Sequence, residues 1–450
     1  MQSSANAATQ AASARQEELV RQGARKATAR LLPLLAVGYL VSYIDRTNVG
    51  FAALTMNQAL GLTATQFGVA AGAFYIGYVL LEVPSNLVLR RVGARRWLAR
   101  IMITWGLAAA ATALARGPHS LYLMRLLTGA AEAGFYPGVI FYLSTWFPRQ
   151  YRARAFGWFN LANPMASVVS GPLSAAVLQF DGAGGLAGWQ WLFILEGLPA
   201  CLLGLYTLYF LPDRPSAVSW LSAEEQAATA AALAAEYDPG AITQLSSALR
   251  DRRVVILTIS YFFLIVGVLG VTLWLPLMLK QHGLSTTAIG WNFAWPYLLA
   301  CVGLIVWSAH LDRTRRFLKN YMVCCFLAAA GFALSVSFDS LPLTLSGIAL
   351  ALIGMNACRP AFFSILPSFL GGAAAAGGIA FINAVGNLGG FVGPYMVGWL
   401  KDWTGSFRAG MFALAAMLVA AGVTAFLLKL NLTPGPALKQ TASARGAEPP

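Results

Sequence analysis

Val254-Val-Ile-Leu-Thr-Ile-Ser-Tyr-Phe-Phe-Leu-Ile-Val-Gly-Val-Leu-Gly-Val-Thr-Leu-Trp-Leu-Pro-Leu-Met-Leu279 runs for 26 residues without a charge, between Arg252-Arg253 and Lys280. About 20 apolar residues in a helix cross the hydrocarbon core of a bilayer, so this stretch reads as a membrane span. Similar runs, bounded by charges or by Gly, Pro and Asn, recur on both sides of it. They give spans 31–54, 67–89, 97–115, 121–147, 155–180, 189–211, 254–279, 288–311, 317–338, 341–368, 373–400 and 407–429. Barrel strands would show short alternating segments of about ten residues instead. Runs of this length satisfy their backbone polar groups internally only as helices.

Composition supports the same reading. Of the 450 residues 58% are hydrophobic and 11% charged, with mean hydropathy +0.63, whereas a soluble domain carries roughly 25% charged residues. Twelve crossings at ~20 residues each need about 240 apolar residues, which this composition supplies. The fold class expected is all-α integral membrane, with twelve transmembrane helices in two six-helix halves.

The net charge of +14 would suggest nucleic acid on a soluble protein, but its distribution points to a membrane. Twenty-four of the 31 Lys and Arg fall in the N-terminal tail, the loops after spans 2, 4 and 8, the central loop and the C-terminal tail. The opposite loops hold only Arg116, Lys280, Lys401 and Arg408, and Arg46, Arg125 and Arg359 lie within spans. By the positive-inside rule both termini are cytoplasmic, which puts the chain in the inner membrane as a multi-pass protein. Residues 1–28 contain no apolar stretch and are a tail rather than a secretory signal. The five cysteines lie in apolar runs without metal or redox spacing, so no metal, disulfide or cofactor is expected.

Expected boundaries are an N-terminal tail at 1–28, halves at 29–211 and 254–430, a cytoplasmic central loop at 212–253 and a C-terminal tail at 431–450. Ser222-x-x-Glu225 in the central loop is a capping-box signature for a short surface helix. Arg91 and Arg313, and Gly171-Pro172 and Gly393-Pro394, repeat at one offset of 222 positions. Such a parallel repeat suggests a transporter with its substrate site between halves near the midplane.

Ionisable groups in hydrocarbon each cost roughly 2.5–3.5 kcal/mol on insertion scales. They are Asp45, Arg46, Glu82, Arg125, Glu132, Glu196 and Arg359; the alternative to function for each is a structural salt bridge. Arg125 and Glu132 stand seven residues apart, two turns along one face of span 4. The economical pairing crosses spans 1 and 4, with Asp45 near Arg125 or Arg46 near Glu132. Two acids and two bases there can link protonation to anion binding. Tyr75, Tyr78 and Glu82 form a stripe on span 2; Asn356, Arg359 and Phe363 form one on span 10. Asn383 and Asn387 are one turn apart on span 11. Arg359, followed by Pro360, either holds a kink by bonding a freed carbonyl or faces the cavity and favours a dicarboxylate.

At these residues the chain resembles the anion:cation symporter family of the major facilitator superfamily, in its bacterial phthalate, tartrate and hydroxyphenylacetate permease branch. The likeness lies in Tyr43-Ile-Asp-Arg-Thr-Asn-Val-Gly-Phe-Ala, Gly77-Tyr-Val-Leu-Leu-Glu-Val-Pro-Ser-Asn-Leu, Val92-Gly-Ala-Arg-Arg-Trp-Leu-Ala-Arg-Ile, Arg125-Leu-Leu-Thr-Gly-Ala-Ala-Glu-Ala-Gly-Phe-Tyr-Pro-Gly, Trp146-Phe-Pro, Trp189-Gln-Trp-Leu-Phe-Ile-Leu-Glu-Gly and Gly386-Asn-Leu-Gly-Gly-Phe-Val-Gly-Pro. It implies an alternating-access carrier that imports a small organic anion with protons, working as a monomer in lipid without nucleic acid. By position it implies that Asp45 and Glu132 carry protons and that Arg46 and Arg125 serve substrate and coupling. Tyr43, Tyr78, Asn163 and one of Asn383 or Asn387 become cavity contacts. The usual acid before the Arg-x-Gly turn is replaced by Arg90, Arg359 departs from the pattern, and the frequent Phe-Trp pair reads Phe362-Phe363. Passive facilitation and exchange remain as transport alternatives. An enzyme lacks a nucleophile-base arrangement, and a sensor lacks an output domain.

Overall fold

The computed structural model describes residues 2–236, 251–365 and 372–431. Residues 237–250 of the central loop and 432–450 of the C-terminal tail lie outside the described residues. The chain is all-α. In order, the helices are α1 Gln2–Ala59, α2 Ala64–Val92, α3 Ala94–Ala111, α4 Pro118–Glu132, α5 Phe135–Ser144, α6 Arg149–Asn160, α7 Ala162–Val177, α8 Gly188–Phe210, α9 Ala223–Ala234, α10 Arg252–Gln281, α11 Thr286–Thr314, α12 Phe317–Ser337, α13 Leu341–Phe363, α14 Gly372–Asn387, α15 Gly389–Thr404 and α16 Phe407–Asn431. Among the described residues, ten helical segments are long and apolar enough to cross a membrane. The expected spans 121–147 and 373–400 complete twelve, each as a broken pair, α4 with α5 and α14 with α15.

Two local features were not expected. The tail is helical, because residues 2–22 contain neither Gly nor Pro and are rich in Ala, Gln, Glu and Arg, strong helix formers; α1 runs through it without interruption. Span 4 is broken at Ala133 (φ −54°, ψ 129°) and Gly134 (φ 89°). Gly134 lies in the left-handed region, and a Cβ there would also strike Ser85. α13 runs through Pro360 to Phe363, within the expected span 341–368.

The chain forms two compact units. One comprises Met1–Leu62, Ala73–Asp238 and Gly283–Ala294; the other comprises Thr63–Gly72, Pro239–His282 and Trp295–Pro450. In the first, Leu98, Trp105, Phe135, Trp146 and Phe159 are fully buried. There α9 lies on α1. Glu225 N–H donates to Ser222 Oγ (3.2 Å) and Ser222 N–H to Glu225 Oε2 (2.7 Å), completing the expected capping box. Glu225 also takes Lys26 Nζ at 2.8 Å, and Glu224 takes Arg15 at 3.1 Å. In the second unit the Asp402 carboxylate accepts from the N–H groups of Ala64 (3.0 Å) and Thr65 (2.7 Å), capping the start of α2. Tyr261 stacks on Phe362 at 4.8 Å in its core. Leu202, Phe210, Trp291 and Val306 are all more than 60% exposed, as lipid-facing side chains of a membrane protein are.

Candidate functional site

The first unit gathers the N-terminal candidates around α2 and α4. Gly77 and Gly129 make this possible, because a Cβ on either would collide with backbone of the facing helix, Leu126 for Gly77 and Phe74 for Gly129. The close crossing sets Arg125 and Glu132, either side of Gly129, against the Phe74–Tyr78 stretch of α2.

Glu132 is fully buried. Its Oε1 accepts from Arg46 Nη2 (2.6 Å), Arg46 Nε (2.9 Å) and Ser42 Oγ (2.6 Å), while Oε2 is buried with no hydrogen-bond partner among the described residues. Of the two expected pairings the molecule makes Arg46 with Glu132. The Arg46 guanidinium lies 4.8 Å from the Tyr78 ring centre, 5.3 Å from Phe74 and 5.8 Å from Tyr43. Such cation–π contacts hold a desolvated charge from several sides.

Arg125 is 1% exposed. Its guanidinium lies 5.0 Å from the Phe74 ring centre, so one ring serves both arginines. The carboxylate goes to Arg46, and Arg125 Nε has no hydrogen-bond partner among the described residues. Asp45 makes no ion pair there. Its Oδ2 accepts from the Trp105 indole at 2.6 Å and its Oδ1 from Asn48 Nδ2 at 3.4 Å.

Asn163 donates through Nδ2 to Tyr39 Oη at 3.3 Å. Tyr39 stacks on Phe159 at 4.7 Å and meets Tyr43 edge-on at 5.8 Å, which joins Asn163 to the same group. Arg359, Asn383 and Asn387 belong to the second unit, all partly buried, the first on α13 and the others on α14. Sequence reading missed Ser42, Phe74 and Trp105. Ser42 lies four residues before Arg46 and Phe74 four before Tyr78, so helical spacing could have found both. No spacing rule leads to Trp105.

Arg90 is exposed and lies 5.2 Å from the Phe141 ring centre. The acid at the turn after span 2 comes from elsewhere. Asp213, just after α8, accepts the Arg95 N–H at 2.9 Å and faces the Arg95 guanidinium at 3.5 Å. Among the described residues Glu82 and Glu196, both buried, have no Lys or Arg within ion-pair distance, so neither makes the structural bridge that was the alternative for it.

The family described as Major Facilitator Superfamily matches residues 35–394. A protein of Agrobacterium vitis named "Putative tartrate transporter" is 43% identical over 406 residues, 90% of each chain. One of Acinetobacter baumannii named "Quinolone resistance transporter" is 40% identical over 412 residues, 91% of this chain and 95% of that one. Among solved structures, a bacterial homologue of the human lysosomal transporter Spinster, in an inward-facing and occupied conformation, superposes with TM-score 0.76 at 17% identity, over 90% of this chain and 99% of that chain.

Proposed function

The chain belongs to the Major Facilitator Superfamily and is a multi-pass membrane transporter rather than an enzyme, and from that premise we propose that it imports a small organic carboxylate together with protons. The observation that carries this reading is Arg125, a buried guanidinium without a bond to its Nε, in a group whose ion pair goes to Arg46. A buried cation left without an anion is costly. A substrate carboxylate is a planar partner that the guanidinium fork holds in two bonds.

Asp45 and Glu132 are the proton carriers in this reading. When a substrate anion draws Arg46 or Arg125, Glu132 loses part of its counter-charge and takes a proton; anion and proton binding then favour each other. Tyr43, Tyr78 and Asn163 line the N-terminal side of the binding site, and Arg359, Asn383 and Asn387 supply contacts from the C-terminal half. The named relative from Agrobacterium makes tartrate the first candidate. The name of the Acinetobacter relative, a quinolone resistance transporter, supports a second reading, export.

The test is uptake by the purified chain in liposomes. Labelled tartrate and an aromatic monocarboxylate are offered with and without an inward pH gradient. Import predicts accumulation above the outside concentration only with the gradient. Equilibration alone would leave a facilitator, and accumulation driven only by preloaded anion would leave an exchanger.

A further inference from the structure

Glu196 on α8 is 4% exposed. Its Oε1 accepts from Ser174 Oγ on α7 at 2.9 Å, and its Oε2 is buried without a hydrogen-bond partner among the described residues. Each helix packed on α8 can be searched for a counter-charge. From α7 comes the hydroxyl of Ser174. From α3 comes a glycine contact, since a Cβ on Gly106 would stand 2.6 Å from the Gly197 carbonyl. The arginines of α3 begin at Arg100, six residues or about 9 Å along the axis. On α8 itself Cys201 lies within electrostatic reach of Asp45. From α1 come Asn48 and Asp45, and Asp45 is another acid.

Asp45 has no cation within ion-pair distance among the described residues: its hydrogen-bond partners are Trp105 and Asn48, and the charged groups that face it from α4 are Arg125 and Glu132. Glu196 and Asp45 approach one amide, and with Arg46 bonded to Glu132 it is Arg125 that faces them, one cation against two buried carboxylates, an imbalance that a proton held by the pair removes. We propose that Glu196 is a further proton-binding residue of the transport cycle, sharing a proton with Asp45 across Asn48. This rests on the proton-symport reading and adds a member to its machinery. Asn48 Nδ2–H donates to whichever carboxylate is ionised, Ser174 holds Glu196, and Trp105 holds Asp45. No bond other than that to the moving proton forms or breaks.

Infrared difference spectroscopy of the full chain in lipid membranes, stepping pH without substrate, reads the carbonyl band of protonated carboxyl groups. The wild type is compared with Glu196→Gln, Asp45→Asn and Asn48→Ala, the last keeping both acids. Glu196→Gln should remove one titrating carboxyl and move the midpoint of the remaining Asp45 signal by at least about one pH unit. Asp45→Asn should do the reciprocal, and Asn48→Ala should retain both carboxyls but separate their titrations. An unchanged spectrum in Glu196→Gln overturns the proposal, as does an Asp45 midpoint indifferent to both Glu196→Gln and Asn48→Ala. Gradient-driven tartrate uptake by the wild type judges the symport reading by itself. A coupled pair without driven uptake would sink that reading alone, and driven uptake without the pair would sink only the role of Glu196.

Discussion

Glu132 uses one oxygen for three hydrogen bonds and the other for none. That asymmetry leaves a place for a proton without dismantling the pair with Arg46. Glu132→Gln keeps the shape and the contact to Ser42 but cannot ionise. It should abolish accumulation against a gradient while substrate exchange across liposomes persists, and Asp45→Asn should do the same; if either variant still concentrates substrate, that residue does not couple. Arg125 gives a second prediction. Lysine retains charge but loses the planar fork, so Arg125→Lys should bind substrate nearly as poorly as Arg125→Ala, about tenfold or more below wild type, the scale of one charged hydrogen bond. Calorimetric titration with the transported anion checks it, and wild-type affinity in the lysine variant would make Arg125 a bystander.

At the scale of elements, α9 is held to α1 by Lys26–Glu225 and Arg15–Glu224. Ser222→Ala should cost about 1 kcal/mol of helix stability, the usual value of an N-cap, measurable as faster amide exchange confined to α9. Burial by itself pushes the Glu225 carboxyl up, but the Lys26 ammonium and the bonds to Ser222 outweigh it and hold the group below its ordinary range. A carboxyl depressed in the folded state stabilises above its unfolded value and loses that contribution as pH falls. Protection of α9 should therefore be level from neutral pH down to about 5 and drop below about 4. Protection that rises with acid would contradict the ion pair. The capping box was legible because Ser222 and Glu225 act locally. The break between α6 and α7 was not legible, since Leu161 has φ −62° and ψ −24°, itself helical. Gly134 differs: the left-handed turn follows from a glycine, yet only the fold shows that Ser85 packs against it.

For the whole molecule, the charge count predicts sidedness. A single cysteine at Ser216, between α8 and α9, should react with a membrane-impermeant maleimide only in opened cells, and one at Gly182 should react in intact cells. The reverse pattern would invert the assigned orientation. Span number was readable because a bilayer demands length and apolarity from every crossing alike. The partners of the buried charges were half readable. Arg46 with Glu132 was one of two pairings allowed by helical spacing, whereas Trp105 reaches Asp45 across 60 positions, a choice made by packing. Long separations also set a schedule. Lys26 meets Glu225 across 199 positions, and at roughly 5–20 residues per second of synthesis the start of α1 waits about 10–40 s for its carboxylate to be made. Through that interval the first span is held by its apolar length and by partners made earlier, such as Trp105 and Glu132, so the seal at α9 is among the later contacts of the first unit to be written in time.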